Sequence, residues 1–216
     1  MTESEKMRAG KIYDPFGDDM VKRRTRAHEL CTKYNQTSEG DEALRKEILD
    51  ELLPHRAEGV YLQGPIYFDF GCNTTFGERS YANFNLTVLD ICPVTIGHDV
   101  FMGPGVSLLT PLHPFCPEDR NPYFDKKKGR VTEREYGAPI TIGNNCWIAG
   151  NVTICAGVTI GDGCVIGAGS VVTRNIPKNS LAAGTPCRVL REITEADRLK
   201  NHPELFADND FEELGK

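Results

Sequence analysis

Residues 142–177 read Ile-Gly-Asn-Asn-Cys-Trp, Ile-Ala-Gly-Asn-Val-Thr, Ile-Cys-Ala-Gly-Val-Thr, Ile-Gly-Asp-Gly-Cys-Val, Ile-Gly-Ala-Gly-Ser-Val and Val-Thr-Arg-Asn-Ile-Pro. Each of these six hexapeptides opens with Ile or Val. Their fourth residue is always Gly or Asn, the two types that most readily adopt a positive φ. The fifth residues are Cys146, Val152, Val158, Cys164, Ser170 and Ile176.

This repeat predicts a stack of short strands separated by tight turns. The first and fifth positions are expected to face a shared interior, and the fourth to turn the chain. One such unit cannot bury its apolar side alone, whereas stacked units can, because each coil bonds to the coils above and below. We therefore predict a mainly β protein built as a parallel β-helix.

The six-residue period also appears earlier in the chain. Phe70, Phe76, Ala82 and Val88 are six apart, two extra residues follow near Cys92, and Ile96, Met102 and Leu108 resume the count. The interval from Leu108 to Ile142 is not a multiple of six and is largely polar. We predict a hexapeptide β-helix over residues 59–191, with a long loop at about 111–139 that leaves the coil.

The flanking segments have helical rather than hexapeptide patterns. Residues 1–58 are expected to form a small helical segment, with one helix over Asp18–Asn35 and a second that ends before Pro54. Residues 192–216 form a tail in which Thr194 and Asp197 match a capping box for a short helix. The basic run at 22–26 suits a solvated helix face, with a contact to an acceptor or a subunit as the alternative.

Composition excludes several classes of protein. The 216 residues include 25 Lys and Arg against 31 Asp and Glu, a net charge of −6 that argues against a nucleic-acid binder. No apolar run approaches the roughly 18 residues that a membrane span needs. The polar start lacks an apolar signal region. Eight cysteines without a C-x-x-C pair predict free thiols in a reducing cytoplasm.

Several motifs resemble the maltose and galactoside O-acetyltransferases, a family of left-handed β-helix acyltransferases with hexapeptide repeats. The similar segments are Met7-Arg-Ala-Gly-Lys-Ile-Tyr13, Tyr81-Ala-Asn-Phe-Asn85, Leu89-Asp-Ile-Cys-Pro93, Ile140-Thr-Ile-Gly-Asn-Asn-Cys-Trp147 and Ala183-Gly-Thr-Pro-Cys-Arg188. The resemblance implies a homotrimer that binds acetyl-CoA in clefts between subunits and acetylates a sugar hydroxyl. It extends from Met7 to about Arg191.

The resemblance also implies roles for individual residues. His113 matches the general base, which would take the proton of the attacking hydroxyl. Acceptor binding is expected at Asn83, Asp69, Asp90 and Asp14. An acid at Asp69 favours the maltose type over the galactoside type, which has serine there, and Asp14 is one residue out of register. Coenzyme binding is expected at Gly150, Ala168, Thr173, Arg174, Arg188, Arg191 and Trp147.

Three alternatives stand beside this interpretation. A metal-dependent hydratase on the same helix needs about three histidine ligands, and the coils offer only His98 and His113, so no metal is expected. A non-catalytic interaction module could use the same solenoid, although His113 and the C-terminal arginines argue against it. An acetyltransferase for an antibiotic, an amino acid or a lipo-oligosaccharide would keep the chemistry and change the acceptor.

Overall fold

A computed structural model describes residues 1–206; the remainder of the predicted tail, residues 207–216, lies outside the described residues. The α-helices of the described part are α1 (Glu3–Arg8), α2 (Asp18–Asn35), α3 (Glu42–Leu52) and α4 (Pro117–Arg120). Short 3-10 helices follow the last strand at Glu195–Asp197, Leu199–Asn201 and Pro203–Leu205.

The strands are short and follow one another closely along the chain. In order they are β1 (His55–Arg56), β2 (Tyr61–Leu62), β3 (Ile66–Phe68), β4 (Thr74–Phe76), β5 (Tyr81–Ala82), β6 (Leu86–Leu89), β7 (Val94–Ile96), β8 (Phe101–Met102), β9 (Ser107–Leu109), β10 (Pro111–Leu112), β11 (Tyr123–Asp125), β12 (Arg130–Thr132), β13 (Tyr136–Gly137), β14 (Ile140–Ile142), β15 (Trp147–Ile148), β16 (Thr153–Cys155), β17 (Thr159–Ile160), β18 (Val165–Ile166), β19 (Val171–Val172), β20 (Ser180–Gly184) and β21 (Cys187–Glu192).

These strands build three parallel sheets that enclose one interior. The first face holds β1, β4, β7, β14 and β17; the second holds β2, β5, β8, β15, β18 and β20, with β21 antiparallel at its end; the third holds β3, β6, β9, β16 and β19. Successive strands of the coil pass from face to face, so the predicted parallel β-helix is confirmed, with about six turns. We call the edge between the second and third faces the 2–3 corner, and that between the third and first faces the 3–1 corner.

The interior follows the hexapeptide columns. Every first-position and fifth-position residue of 142–177 is buried, at 4% exposure or less. Five of the six fourth-position residues have a positive φ, between 56° and 82°. The exception is Asn175, whose side-chain oxygen instead accepts the backbone N–H of Thr159 at 2.8 Å. Asn179 takes the positive φ in this last coil.

The earlier coils contain the two extra residues predicted near Cys92, and they depart from the predicted count at Phe70, also at the 3–1 corner. Phe76 pairs with Ile96, twenty residues later, so the coil between them carries two residues more than three hexapeptides. Phe70, which the period assigns to the coil interior, packs instead in a second cluster with Met7 and Tyr13. The extra residues at this corner bring the N-terminal segment against the coil.

Helices α2 and α3 close the open N-terminal end of the coil. Their apolar side chains join the interior of the β-helix, including Leu30, Leu49 and Leu52. The Tyr34 hydroxyl donates to the Leu62 carbonyl at 2.5 Å, which satisfies an edge-strand acceptor. Capping protects three edge strands that would otherwise offer unpaired backbone groups. The bounds of α2 match the predicted helix, and α3 ends before Pro54 as expected.

Two terminal features refine the predictions. Helix α1 was not predicted, although Thr2 and Glu5 form a full capping box at its start. The predicted box at Thr194 and Asp197 is confirmed, but the helix it begins is a single 3-10 turn. Within residues 1–206, none of the helices has the length and apolarity needed to cross a membrane.

Candidate active site

The loop predicted at 111–139 is folded rather than irregular. Strands β10 and β13 pair antiparallel at its base, so the chain leaves and re-enters the coil at neighbouring points. Beyond them lie α4 and the hairpin of β11 and β12. Because the base of the loop is hydrogen-bonded, the side chains beside it have fixed positions at the 3–1 corner.

Asp14 fastens this loop to the N-terminal segment. Its Oδ2 lies 2.6 Å from both Lys128 Nζ and Arg130 Nη2, and Thr132 Oγ1 donates to its Oδ1 at 2.6 Å. Burial raises the pKa of Asp14, but the bonds from Lys128, Thr132 and Arg130 outweigh burial and hold the pKa well below its usual range. The residue is 5% exposed. The structure shows the Asp14 carboxylate bonded to the loop, and the expectation that Asp14 also contacts the acceptor stays a prediction.

His113 follows β10 directly and remains accessible, with 47% of its side chain exposed. Its Nε2 lies 3.7 Å from Oε1 of Glu135, a carboxylate that is only 13% exposed. The other carboxylate oxygen of Glu135 accepts the hydroxyl of Tyr13. Tyr13 and Glu135 also exchange backbone hydrogen bonds, which fix the carboxylate relative to the N-terminal segment.

Burial governs the electrostatics of this group. It raises the pKa of Glu135, while the Tyr13 hydroxyl lowers it and the negative charge of Asp69 adds to the rise. Burial also raises the pKa of Asp69, and His28 acts against that rise. His28 Nε2 lies 3.6 Å from Asp69 Oδ1. His113, Glu135 and Tyr13 thus form one cluster at the 3–1 corner, and the charge of Asp69, which follows β3 at the same corner, acts on it.

Asp90 does not belong to the accessible part of this cluster. Its side chain is fully buried and accepts the backbone N–H groups of Phe70, Gly71 and Asn73 and the hydroxyl of Thr74. Burial raises its pKa to about 6 despite these bonds. The carboxylate holds the widened turn at residues 70–74, so its contacts support a structural role, and its assignment to acceptor binding stays a prediction.

Asn83 lies on the other side of the third face. It follows β5 at the 2–3 corner, and its side-chain oxygen accepts the N–H of Phe84 at 2.7 Å. The strand between the two corners, β6 (Leu86–Leu89), has four residues and spans about 13 Å at a rise of about 3.3 Å per residue. One chain alone therefore does not bring Asn83 to His113.

The predicted coenzyme residues divide between the same two corners. Gly150 and Ala168 lie on adjacent coils at the 2–3 corner, and Trp147 is 55% exposed on the second face. Thr173 and Arg174 are exposed at the 3–1 corner.

The two C-terminal arginines both lie on β21, at the end of the second face. Asp197 holds the guanidinium of Arg191 through two bonds of 2.8 and 2.6 Å. The Arg188 guanidinium bonds to the carbonyl of Cys187 at 2.8 Å. Arg188 is therefore more available to an anion than Arg191.

The possible metal ligands and the cysteines of the described residues were also compared with the predictions. Within residues 1–206, His, Cys, Asp and Glu side chains form no group of three or more that could hold a metal ion. All eight cysteines are free, which agrees with the sequence analysis; Cys116, the cysteine nearest to His113 in sequence, is exposed.

Comparison with known proteins gives the family of this chain. Residues 6–56 match the maltose acetyltransferase hexapeptide capping motif, and residues 139–174 match the bacterial transferase hexapeptide with six repeats. The galactoside O-acetyltransferase of Escherichia coli is 41% identical over 92% of this chain and 93% of its own length. The chain belongs to the maltose and galactoside O-acetyltransferase family.

Solved structures of the maltose and galactoside O-acetyltransferase family have the same fold. A maltose O-acetyltransferase of Clostridium difficile superposes with a TM-score of 0.81 at 39% identity, covering 90% of this chain and 99% of that one. A galactoside acetyltransferase in complex with coenzyme A gives 0.81 at 40% identity, covering 91% and 94%. The capping motif of the family corresponds here to the segment from α1 through α3.

Glu135, Tyr13 and His28, which lie beside the proposed base and acceptor residues, are not predicted from the sequence as parts of the site. Tyr13 was noted only within the motif that this family shares. Glu135 lies in the loop without a periodic pattern, and His28 lies on a helix face, so nothing in the sequence places them near His113 or Asp69. The one signal in the sequence was that Glu135 is an acidic residue close to the point where the coil resumes, four positions before Pro139.

Proposed function

We propose that this protein transfers an acetyl group from acetyl-CoA to a sugar hydroxyl, with His113 as general base. The observation that carries the proposal is the accessible His113 beside the buried carboxylate of Glu135. Membership of the maltose and galactoside O-acetyltransferase family, and neighbours solved with coenzyme A or acetyl coenzyme A, support the choice of donor.

The transfer proceeds by attack on the thioester, which gives a tetrahedral intermediate, and by collapse of that intermediate. The acceptor oxygen attacks the thioester carbonyl while His113 takes its proton, since a free hydroxyl is not ionised at neutral pH. With Nε2–H directed to Glu135, Nδ1 carries the lone pair that accepts this proton. The carboxylate stabilises the imidazolium as it forms. The carbon–sulfur bond then breaks, and the imidazolium returns the proton to the coenzyme thiolate.

The acceptor is proposed to be a sugar because the candidate acceptor residues are polar at both corners. Asp69 can accept hydrogen bonds from hydroxyls, and Asn83 can both donate and accept. A site built to bond hydroxyls penalises analogues that lack them, because its buried polar groups are then left unpaired. The names of its relatives, galactoside and maltose O-acetyltransferase, support the same class.

A homotrimer completes the site in this proposal. The acceptor residues and the coenzyme residues each divide between the 2–3 and 3–1 corners, so a neighbouring copy has to bring one corner to the other. An exposed apolar stripe on the second face supports such packing. Its members are aligned on adjacent strands, Tyr61 with Tyr81, Tyr81 with Phe101 and Phe101 with Trp147.

Acetyl-CoA is proposed to lie in the cleft between copies, in the cytoplasm and without a metal. Small side chains at Gly150 and Ala168 allow the pantetheine arm to approach the backbone. Thr173 and Arg174 of the neighbouring copy face it from the other side. Arg188 pairs with a phosphate through a charge-assisted bond.

The test is a screen of acceptors at fixed acetyl-CoA that follows release of free thiol. We expect maltose, glucose and galactosides to give faster release than serine, chloramphenicol or simple alcohols. Faster transfer to serine or to an antibiotic would retain the acetyltransferase and overturn the sugar acceptor. No thiol release above the blank with any hydroxyl acceptor would overturn the proposed reaction itself.

A further inference from the structure

The Glu135 carboxylate offers one oxygen to each of two neighbours. Oε2 accepts the hydroxyl of Tyr13, and Oε1 lies 3.7 Å from Nε2 of His113. No other side chain among residues 1–206 donates a hydrogen bond to this carboxylate. The last torsion of a glutamate side chain is soft, so a bond to one oxygen fixes the plane of the other. The Tyr13 hydroxyl therefore sets the direction of the oxygen that faces His113.

The ring of Tyr13 is held by contacts that do not involve its hydroxyl. Its backbone N–H donates to the Glu135 carbonyl at 3.0 Å, and the Glu135 N–H donates in return at 3.4 Å. Tyr13 is 3% exposed and packs in the cluster with Met7 and Phe70. Loss of the hydroxyl alone should therefore leave the ring and the backbone in place.

The N-terminal segment is attached to the loop on both sides of Tyr13. Before it, Gly10 approaches β13 so closely that a Cβ would lie 2.6 Å from the Gly137 carbonyl oxygen. After it, Asp14 accepts the hydroxyl of Thr132 at 2.6 Å. These contacts fix the backbone of Tyr13 relative to the loop, so the position of the phenol does not depend on the bond that its hydroxyl makes.

Burial makes the hydroxyl a lasting donor and makes the charge on the carboxylate costly. Burial and the negative charge of Glu135 raise the pKa of Tyr13 well above its usual value, so the phenol keeps its proton. Burial also raises the pKa of Glu135, and the bond from the Tyr13 hydroxyl acts against that rise. A hydrogen bond to the charged form of an acid favours that form. The hydroxyl thus favours the ionised carboxylate that a protonated His113 requires.

We propose that Tyr13 is a positioning residue for acetyl transfer: its hydroxyl holds the Glu135 carboxylate with Oε1 directed to His113. The inference rests on the proposed function, in which His113 takes the acceptor proton, and adds a residue that acts through Glu135 alone. The phenol donates throughout the reaction and loses no proton. Its effect reaches the transition state because the carboxylate stabilises the imidazolium.

The experiment is a double-mutant cycle on Tyr13 and Glu135, with kcat measured for the fastest hydroxyl acceptor and KM for acetyl-CoA. Tyr13→Phe should lower kcat by about fivefold to tenfold, because one bond to a charged group is lost. The KM for acetyl-CoA should change by less than about twofold. In the Glu135→Ala background, Tyr13→Phe should change kcat by less than about twofold, since the carboxylate that transmits its effect is gone.

Tyr34→Phe is a matched control for the loss of a buried hydroxyl. Tyr34 is 2% exposed, and its hydroxyl donates to the carbonyl of Leu62 on the second face. Tyr34→Phe should lower thermal stability while kcat stays within about twofold of wild type. The two variants together separate a role in transfer from the general cost of removing a buried hydrogen bond.

Three results would overturn the inference while leaving the proposed function in place. One is a wild-type kcat in folded Tyr13→Phe. Another is an equal loss of kcat from Tyr13→Phe with Glu135 present or replaced by alanine, since the hydroxyl would then act by another route. The third is a KM for acetyl-CoA that rises in parallel with the loss of kcat, which indicates displaced structure. Failure of the proposed function looks different, because wild type would then release no thiol with any hydroxyl acceptor.

Discussion

Glu135 Oε1 lies 3.7 Å from His113 Nε2, and the same carboxylate is bound by the hydroxyl of Tyr13. Three segments meet at this carboxylate: the long loop with Glu135, the turn after β10 with His113, and the N-terminal segment with Tyr13. Catalytic hydrogen bonds are often long in unliganded enzymes and shorten when substrate binds. We therefore expect Glu135 to position His113 and to stabilise its protonated form during transfer.

Glu135→Gln should lower kcat by about tenfold, equivalent to about 1.4 kcal/mol of transition-state stabilisation. The KM for acetyl-CoA should change by less than about twofold, because Glu135 acts on the imidazole and not on the coenzyme. Glu133→Gln changes a nearby loop carboxylate that does not contact His113 and serves as control. An equal loss of kcat in Glu133→Gln would limit Glu135 to a purely structural role.

The contacts of Asp14 predict that it controls the order of the loop rather than global stability. Asp14→Asn should increase amide hydrogen exchange and proteolysis within 123–132 and reduce kcat. Asp19→Asn, on an exposed acidic residue at the start of α2, should change neither.

Acidification tests the same contact in the wild type. Because the folded pKa of Asp14 lies below its unfolded value, the anchor is fully present above about pH 4. It should be lost only as the pH falls further, through the folded pKa. Loop release between pH 5 and 7 would contradict the assigned contacts.

Asp90 is predicted to stabilise the fold through its bonds to the turn at residues 70–74. Asp90→Ala leaves the N–H groups of three turn residues without their acceptor and should lower the free energy of unfolding by about 3 kcal/mol. Asp125→Ala is a matched control, because Asp125 also accepts two backbone N–H groups but is solvated. It should cost about 1 kcal/mol or less. Urea denaturation measures both variants.

The raised pKa of Asp90 adds a pH signature. A carboxyl whose folded pKa lies above its unfolded value contributes most below the unfolded pKa, and that contribution is lost as pH rises through about 6. The stability difference between wild type and Asp90→Ala should therefore shrink between about pH 4 and pH 7. A difference that grows over this interval would contradict the burial of the charged group.

The coil could be predicted from sequence because its rule is local. A first-position Ile and a fourth-position Gly or Asn act within six residues. The residue type of Ile148 therefore predicts an interior position, and that of Gly157 predicts a turn. Asn175 lacks the positive φ expected at a fourth position, because its coil continues through Pro177 and turns later, at Asn179. Helix α2 could be predicted equally well, since its buried residues recur every three to four positions.

The site was less predictable because it depends on contacts between distant segments. Asp14 meets Lys128 across more than a hundred residues, and no periodicity connects them. Asp90 matched an acceptor pattern by residue type, but only the fold shows that its oxygens face a turn. Resemblance located His113, whereas the nearby carboxylate of Glu135 could be found only from the geometry of the loop.

The proposed trimer makes a prediction about mixed assemblies. His113→Ala and Asn83→Ala should each be nearly inactive alone, because each removes one corner of the site. Refolding the two variants together at equal amounts should restore about a quarter of wild-type activity, since that share of interfaces joins an intact His113 to an intact Asn83. A mixture without recovered activity would place both residues in one subunit's site.

His113 is proposed to remove the proton from the acceptor hydroxyl. The most direct measurement is steady-state thiol release with maltose as acceptor, for wild type and His113→Ala, together with acetyl-CoA affinity by calorimetry. We predict a loss of roughly 10²–10⁴ in kcat with affinity unchanged within about twofold. Near-normal turnover in a folded variant that binds acetyl-CoA would contradict the claim.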